Sequence, residues 1–145
     1  MAIFSPSDRD AAAYPLQSLF VPFPFVCFTL ALATDIAFWW NGNLMWQNFS
    51  AWLLFAGLAF GVLAILAGLM DLVRPRTRPL RPAWLSMLLY LIILGLAFVN
   101  NLMHAGDGWT AVVPYGLVLS AATFVLCLVA AAVSARKYAR LAWRV

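Results

Sequence analysis

The run Arg74-Pro75-Arg76-Thr77-Arg78-Pro79-Leu80-Arg81-Pro82 sets four arginines and three prolines between two long apolar segments. Each proline removes a backbone donor and biases the residue before it away from helical geometry, so no helix runs through this stretch. Hydrocarbon excludes it as well, because an arginine at mid-depth costs about 3 kcal/mol even on the gentlest scale. The run is therefore a water-facing hinge that divides the chain into two helical hairpins. Composition points the same way: 66% of the residues are hydrophobic and 10% are charged, against roughly a quarter charged in an ordinary soluble domain. Four apolar stretches each reach the ~20 residues a helical span needs. The expected fold is an all-α integral membrane protein, an antiparallel bundle of four transmembrane helices.

The spans are read as about 19–40, 49–73, 83–105 and 111–135, forming one membrane domain over 18–135. Residues 1–17 are a polar lead and 136–145 a basic, amphipathic tail. Pro22 and Pro24 fall in the first turn of the first span, where missing amide hydrogens cost least. Asn41 to Asn48 is expected as a loop and Gly106 to Thr110 as a turn. The lead carries Asp8, Arg9 and Asp10 in place of a basic region, apolar run and small-residue cleavage site, so no cleaved signal peptide is expected.

All nine Lys and Arg lie in the lead (Arg9), the hinge (Arg74, Arg76, Arg78, Arg81) or the tail (Arg136, Lys137, Arg140, Arg144). Basic residues are retained on the cytoplasmic side of a membrane. The alternation predicts a multi-pass protein of the bacterial inner membrane with the hinge and both termini cytoplasmic. Trp39, Trp40, Trp46, Trp52 and Trp109 then mark the outer interface and Trp84 and Trp143 the inner one, the two depths that amphipathic indoles prefer. The pI near 9.6 thus reflects topology, and no nucleic-acid partner is expected.

Gly57, Gly61, Ala64 and Gly68 recur at spacings of four and three along one face of the second span, a pattern that lets helix backbones approach closely. Asp71 continues the stripe toward the bundle interior. Lying three residues before Arg74, it suits an ion pair or a helix-end anchor, and with Arg74, Arg76, Arg78 and Arg81 it makes a charge anchor at the cytoplasmic interface. The Ala/Ser-rich run Ala130 to Ala135 offers a second tight contact.

Ionisable groups within a span are costly, so each is a candidate functional residue. Asp35 lies about five residues, or roughly 8 Å, below the outer end of the first span. Asn100 and Asn101 sit at similar depth in the third, and His104 shares a helical face with one or both; Ala97, Tyr90 and Ser86 continue that stripe inward. Contact between the first and third spans would join Asp35 to an asparagine or to His104 in a polar pocket open to the outer side. Such a cluster is either a clasp holding helices together or a ligand or proton site. The carboxylates and the single histidine are too few and too scattered for a metal site, and no second histidine exists for bis-histidine haem ligation. Cys27 and Cys127 read as small hydrophobes. No nucleophile-elbow, phosphate-loop, CxxC or HExxH motif is present.

Phe23-Pro24 opening a span that closes near Ala33-Thr34-Asp35, the Ala67-Gly68-Leu69-Met70-Asp71 close of the second span, and Asn100 or Asn101 near the end of a polar third span together resemble the bacterial predicted membrane proteins of the domain-of-unknown-function 2231 family. The resemblance covers most of Gln17 to His104 and implies the same four-span scaffold. Its members typically carry a His-Pro…His-Phe-Pro pattern, where this chain reads Gln17-Ser18-Leu19-Phe20-Val21-Pro22-Phe23-Pro24; a histidine near the start of the third span is also missing. If those histidines bind metal or haem in relatives, this chain has lost them.

The expected function is that of a non-catalytic accessory or assembly subunit of a larger membrane complex, with the lipid bilayer and other membrane-protein subunits, or further copies of itself, as partners. No enzyme activity and no cofactor are expected. The alternatives are a redox-associated protein holding haem, quinone or another lipid-like molecule between its helices, and a small carrier or proton-coupled transporter.

Overall fold

A computed structural model describes residues 15–74, 84–106 and 112–142, with side chains through residue 136. A single turn, α1 (Gln17–Phe20), leads across Val21 into α2 (Pro22–Asn41). Val21 keeps helical dihedrals. The break is one of hydrogen bonding, because Pro22 and Pro24 lack the N–H groups that would have reached back to Ser18 and Phe20. Helix α3 (Leu44–Val73) and helix α4 (Trp84–Ala105) follow. A π-type turn, Val112–Gly116, then opens into α5 (Leu117–Ala142). Val113 in that turn is extended, at φ −120° and ψ 120°, as the residue before a proline tends to be.

The expected loop Asn41 to Asn48 shrinks to Gly42 and Asn43. Gly42 takes the left-handed φ of 64° that ends α2, and its N–H bonds Phe38 O at 2.8 Å. Asn41 Oδ1 accepts the Asn43 N–H at 2.9 Å, and Asn43 Oδ1 accepts the Met45 N–H at 3.0 Å as the N-cap of α3. Polar residues that read as a loop are thus the caps of two helices. At 30 residues, α3 is ~45 Å long and outruns a hydrocarbon core of ~30 Å. Helix α5 likewise passes the expected end at Ala135 and continues to Ala142. The lead through Tyr14, hinge residues 75–83 with Arg76, Arg78 and Arg81, and residues 107–111 with Trp109 lie outside the described residues.

Among the described residues, four helices are long and apolar enough to cross a membrane. Helix α2 packs on α3, α3 on α4, α4 on α5, and α5 back on α2, leaving the pairs α2–α4 and α3–α5 across the diagonals. The core is drawn from all four: Phe28 and Ala31, Leu54, Ile93, Leu94 and Ala97, and Cys127. Phe23 and Phe60 stack at 4.6 Å between α2 and α3. One end of the bundle, with the Gly42–Asn43 turn, carries exposed Trp39, Trp40 and Trp52 and is here called the tryptophan end. The other, where α3 stops at Arg74, is the arginine end.

The small-residue stripe is filled from within the chain. A Cβ at Gly57 would stand 2.4 Å from Phe28 Cε1, and one at Gly61 2.4 Å from Leu94 Cδ2. Gly68 faces the Gln17 side chain, 3.1 Å from where its Cβ would be. The close approach that the stripe permits is therefore used within the chain, and this face offers no seat for an outside helix. Within Ala130 to Ala135, by contrast, Ala131, Ala132 and Ala135 are exposed.

Candidate functional site

Near the tryptophan end, side chains from the three other long helices converge on Asp35 of α2, a residue that is 0% exposed. His104 Nε2 lies 2.8 Å from Asp35 Oδ1. Ser50 of α3 donates its hydroxyl to the same oxygen at 2.5 Å, and Ser120 of α5 donates to Asp35 Oδ2 at 2.5 Å. Asn100 Nδ2 donates to Ser120 Oγ at 2.7 Å, and Thr34 Oγ1 lies 2.6 Å from Ser50 Oγ. Helices α2 and α4 are diagonal partners, so the Asp35–His104 bond runs through the middle of the bundle. A long imidazole bridges what the two backbones do not.

The hydrogen positions follow from the partners. His104 Nδ1 is 2.9 Å from the Asn100 backbone oxygen, which can only accept, so Nδ1 carries a hydrogen. One further proton then lies between Nε2 and Asp35 Oδ1. Placed on nitrogen it makes a carboxylate–imidazolium pair; placed on oxygen it makes a neutral acid and a neutral imidazole. Either way the pair has no net charge. That lowers the cost of removing it from water, which for an isolated ion in an apolar interior is many kcal/mol.

The sequence-derived candidates divide here. Asp35 and His104 bond directly, and Asn100 joins through Ser120. Asn101 is half-buried, as are Tyr90 and Ser86 further along α4; Tyr90 reaches Gly61 O of α3 at 3.4 Å. The cluster is closed rather than open to one side: Ser50 and Asn100 are fully buried and His104 is 5% exposed. Ser50, Ser120 and Thr34 were not foreseen. Among the described residues, no three His, Cys, Asp or Glu side chains come together as metal ligands. Cys27 and Cys127 are free thiols, the second buried in the core.

At the arginine end, Asp71 is buried and its Oδ2 accepts the Gln17 backbone N–H at 2.9 Å. The carboxylate ties the start of α1 to the end of α3, a helix-end anchor directed at the first span. Arg74 ends α3, its N–H bonding Met70 O at 3.3 Å.

A family model described as predicted membrane protein (DUF2231) matches residues 13–144. No curated protein and no solved structure gives a match.

Proposed function

Since the chain belongs to the DUF2231 family of predicted membrane proteins, and its buried Asp35 cluster is bonded mainly to itself, we propose that it serves as a non-catalytic accessory or assembly subunit of a larger membrane complex. The observation that carries this reading is the closure of the cluster. Asp35 accepts from Ser50, His104 and Ser120, each on a different helix; these four and Asn100 are each no more than 5% exposed, with Thr34 half-buried beside Ser50. A general acid or base must come within hydrogen-bond reach of its substrate; this one is enclosed by its own scaffold. The exposed Ala131, Ala132 and Ala135 of α5 support the second half of the proposal, because small residues permit the close approach by which membrane helices associate. Deleting the chain from its native membrane and purifying the complexes tests it. Loss or a size shift of one complex is expected. An unchanged set, together with turnover or a stoichiometric bound cofactor in the isolated protein, overturns it.

The proposed orientation has the arginine end and both termini cytoplasmic in a bacterial inner membrane, supported by the confinement of all nine Lys and Arg to three segments. With Cys27 and Cys127 replaced by alanine, Asn43→Cys and Thr77→Cys are expected to label from opposite sides with an impermeant thiol reagent. Labelling from one side rejects the topology.

A further inference from the structure

One acceptor in the cluster is left over. Asn100 is 0% exposed, and its Oδ1 has no hydrogen-bond partner among the described residues. Buried polar atoms are almost always bonded, and an orphaned one carries a desolvation cost of about 1–3 kcal/mol. Rotating the amide does not remove the problem. The Ser120 hydroxyl has a single hydrogen, which goes to Asp35 Oδ2, so Ser120 Oγ needs a donor and receives it from Asn100 Nδ2. A flipped amide would set two acceptors against each other or take the hydroxyl from Asp35. The amide oxygen therefore points where a donor is required. Gln47 Oε1, one turn before Ser50 on α3, is a second buried acceptor without a partner, but no neighbour fixes which way that amide faces. The argument rests on Asn100.

Asp35 has acceptor capacity to spare. A carboxyl group offers about four lone-pair sites, of which Ser50, His104 and Ser120 fill three. Oδ2 accepts only from Ser120 among these donors, wherever the Asp35–His104 proton sits. Ser120 also links the Asn100 amide to Oδ2, so the two unfilled acceptor positions, on α4 and on α2, lie around one hydroxyl. Asn100 Oδ1 and Asp35 Oδ2 can each take a further hydrogen, and Asn100 Nδ2 keeps a second hydrogen beyond the one given to Ser120, so a small neutral molecule that both donates and accepts suits the site. A cation would disturb the charge balance of the Asp35–His104 pair, and an anion would be set against the Asn100 and Asp35 oxygens.

We propose that a single ordered water is bound here, donating to Asn100 Oδ1 and Asp35 Oδ2, and that it completes the clasp beside Asp35, Ser50, His104, Ser120 and Asn100. Globular proteins hold on the order of one buried water per 27 residues, each usually making about three bonds to groups the protein leaves unsatisfied. A hydroxyl-bearing small molecule shares the donor chemistry, and mass separates the two.

The test is a crystal structure of the full chain in a lipid phase, at a resolution that shows waters, with a native mass spectrum of the same preparation. Isolated density about 2.5–3.0 Å from Asn100 Oδ1, with a native mass matching the chain without an organic ligand, is expected. A negative nuclear Overhauser effect between water and the Asn100 side-chain amide, in perdeuterated protein, is the matching solution result. Density extending beyond one atom together with added mass replaces the water by a larger ligand and overturns the proposal. So does an Asn100 Oδ1 that accepts from residues 107–111, or one surrounded by carbon with neither density nor the water signal.

Discussion

Asp35 and Asp71 are two carboxylates that the fold withdraws from water at opposite ends of one bundle, and their surroundings differ in kind. Asp35 is held by side chains from three other helices, each with its own rotamer to satisfy. Asp71 holds a backbone N–H, that of Gln17, at the start of a one-turn helix. The packing beside each differs in the same sense. In the middle of the bundle, Gly57 is pressed by the ring of Phe28; at the arginine end, Gly68 is met by the flexible tip of Gln17. The tryptophan-end half is thus specified by several helices at once, while at the arginine end the described contact of Asp71 joins it to the backbone of α1.

The largest effect that would break this comparison comes from removing each carboxyl group. Asp35→Ala leaves the His104 imidazole, two serine hydroxyls and the shared proton without their acceptor. Breaking one side of a buried pair costs about 3–5 kcal/mol. Asp71→Ala removes the Gln17 bond, and a hydrogen bond to a charged group is worth about 1.5–3 kcal/mol. Reversible unfolding in mixed micelles should therefore show the greater loss for Asp35→Ala. Equal losses would mean that the Asp35 network contributes no more than the Asp71 anchor.

The amide substitutions sharpen the point. At Asp71 an asparagine oxygen can still accept the Gln17 N–H, so Asp71→Asn is expected to cost less than about 1 kcal/mol, the scale of one ordinary hydrogen bond. At Asp35 an asparagine presents two N–H donors where one of Ser50, Ser120 or His104 also donates. A donor facing a donor in a buried site leaves a group unsatisfied, so Asp35→Asn is expected to cost about 1–3 kcal/mol. The same unfolding assay decides it. If Asp35→Asn proves as mild as Asp71→Asn, the serine hydroxyls turn freely and the network is not the rigid clasp drawn here.

How much of this was legible in the sequence follows from the chemistry of each residue. Asp35, Asn100 and His104 stand out because an ionisable or amide group in a span must find a partner, and their depths could be counted from the loops. Ser50 and Ser120 could not be singled out. A hydroxyl in a helix commonly satisfies itself on its own carbonyls, as Thr29 does on Phe25 O and Thr123 on Leu119 O. Only the relative rotation of the helices shows which hydroxyls turn toward a carboxylate, although matching depth to Asp35 would have shortened the list. Asp71 was legible as an anchor, but its partner is a backbone N–H, which every residue except proline possesses. Asn41, which ends α2, and Asn43, the N-cap of α3, read as a loop because capping and loop residues share one composition.

The smallest predicted effect concerns the two glycines. Alanine is the better helix former by about 0.5–1 kcal/mol, a gain available at both positions if nothing opposes it. At Gly57 it is opposed. The new Cβ would meet Phe28 Cε1 at 2.4 Å, Phe28 Cδ1 at 2.9 Å and Cys27 Cβ at 3.1 Å, and a planar ring fixed in the core cannot yield without moving α2. Overpacking of this sort costs about 1–3 kcal/mol. At Gly68 the nearest atoms are Cδ, Oε1 and Nε2 of Gln17, at 3.1 to 3.4 Å, all at the end of a side chain that can swing by a few tenths of an ångström. Displacement and helix propensity then nearly cancel, and Gly68→Ala should change stability by no more than roughly 0.5 kcal/mol, the usual range for substitutions clear of a packed core. The Gln17 N–H to Asp71 bond uses the backbone of that residue, so it should survive the shift. The measurement is the unfolding midpoint of both variants in the same micelle. A loss at Gly68→Ala matching that at Gly57→Ala would show that Gln17 is held as firmly as Phe28, and that the arginine end is no more adjustable than the core.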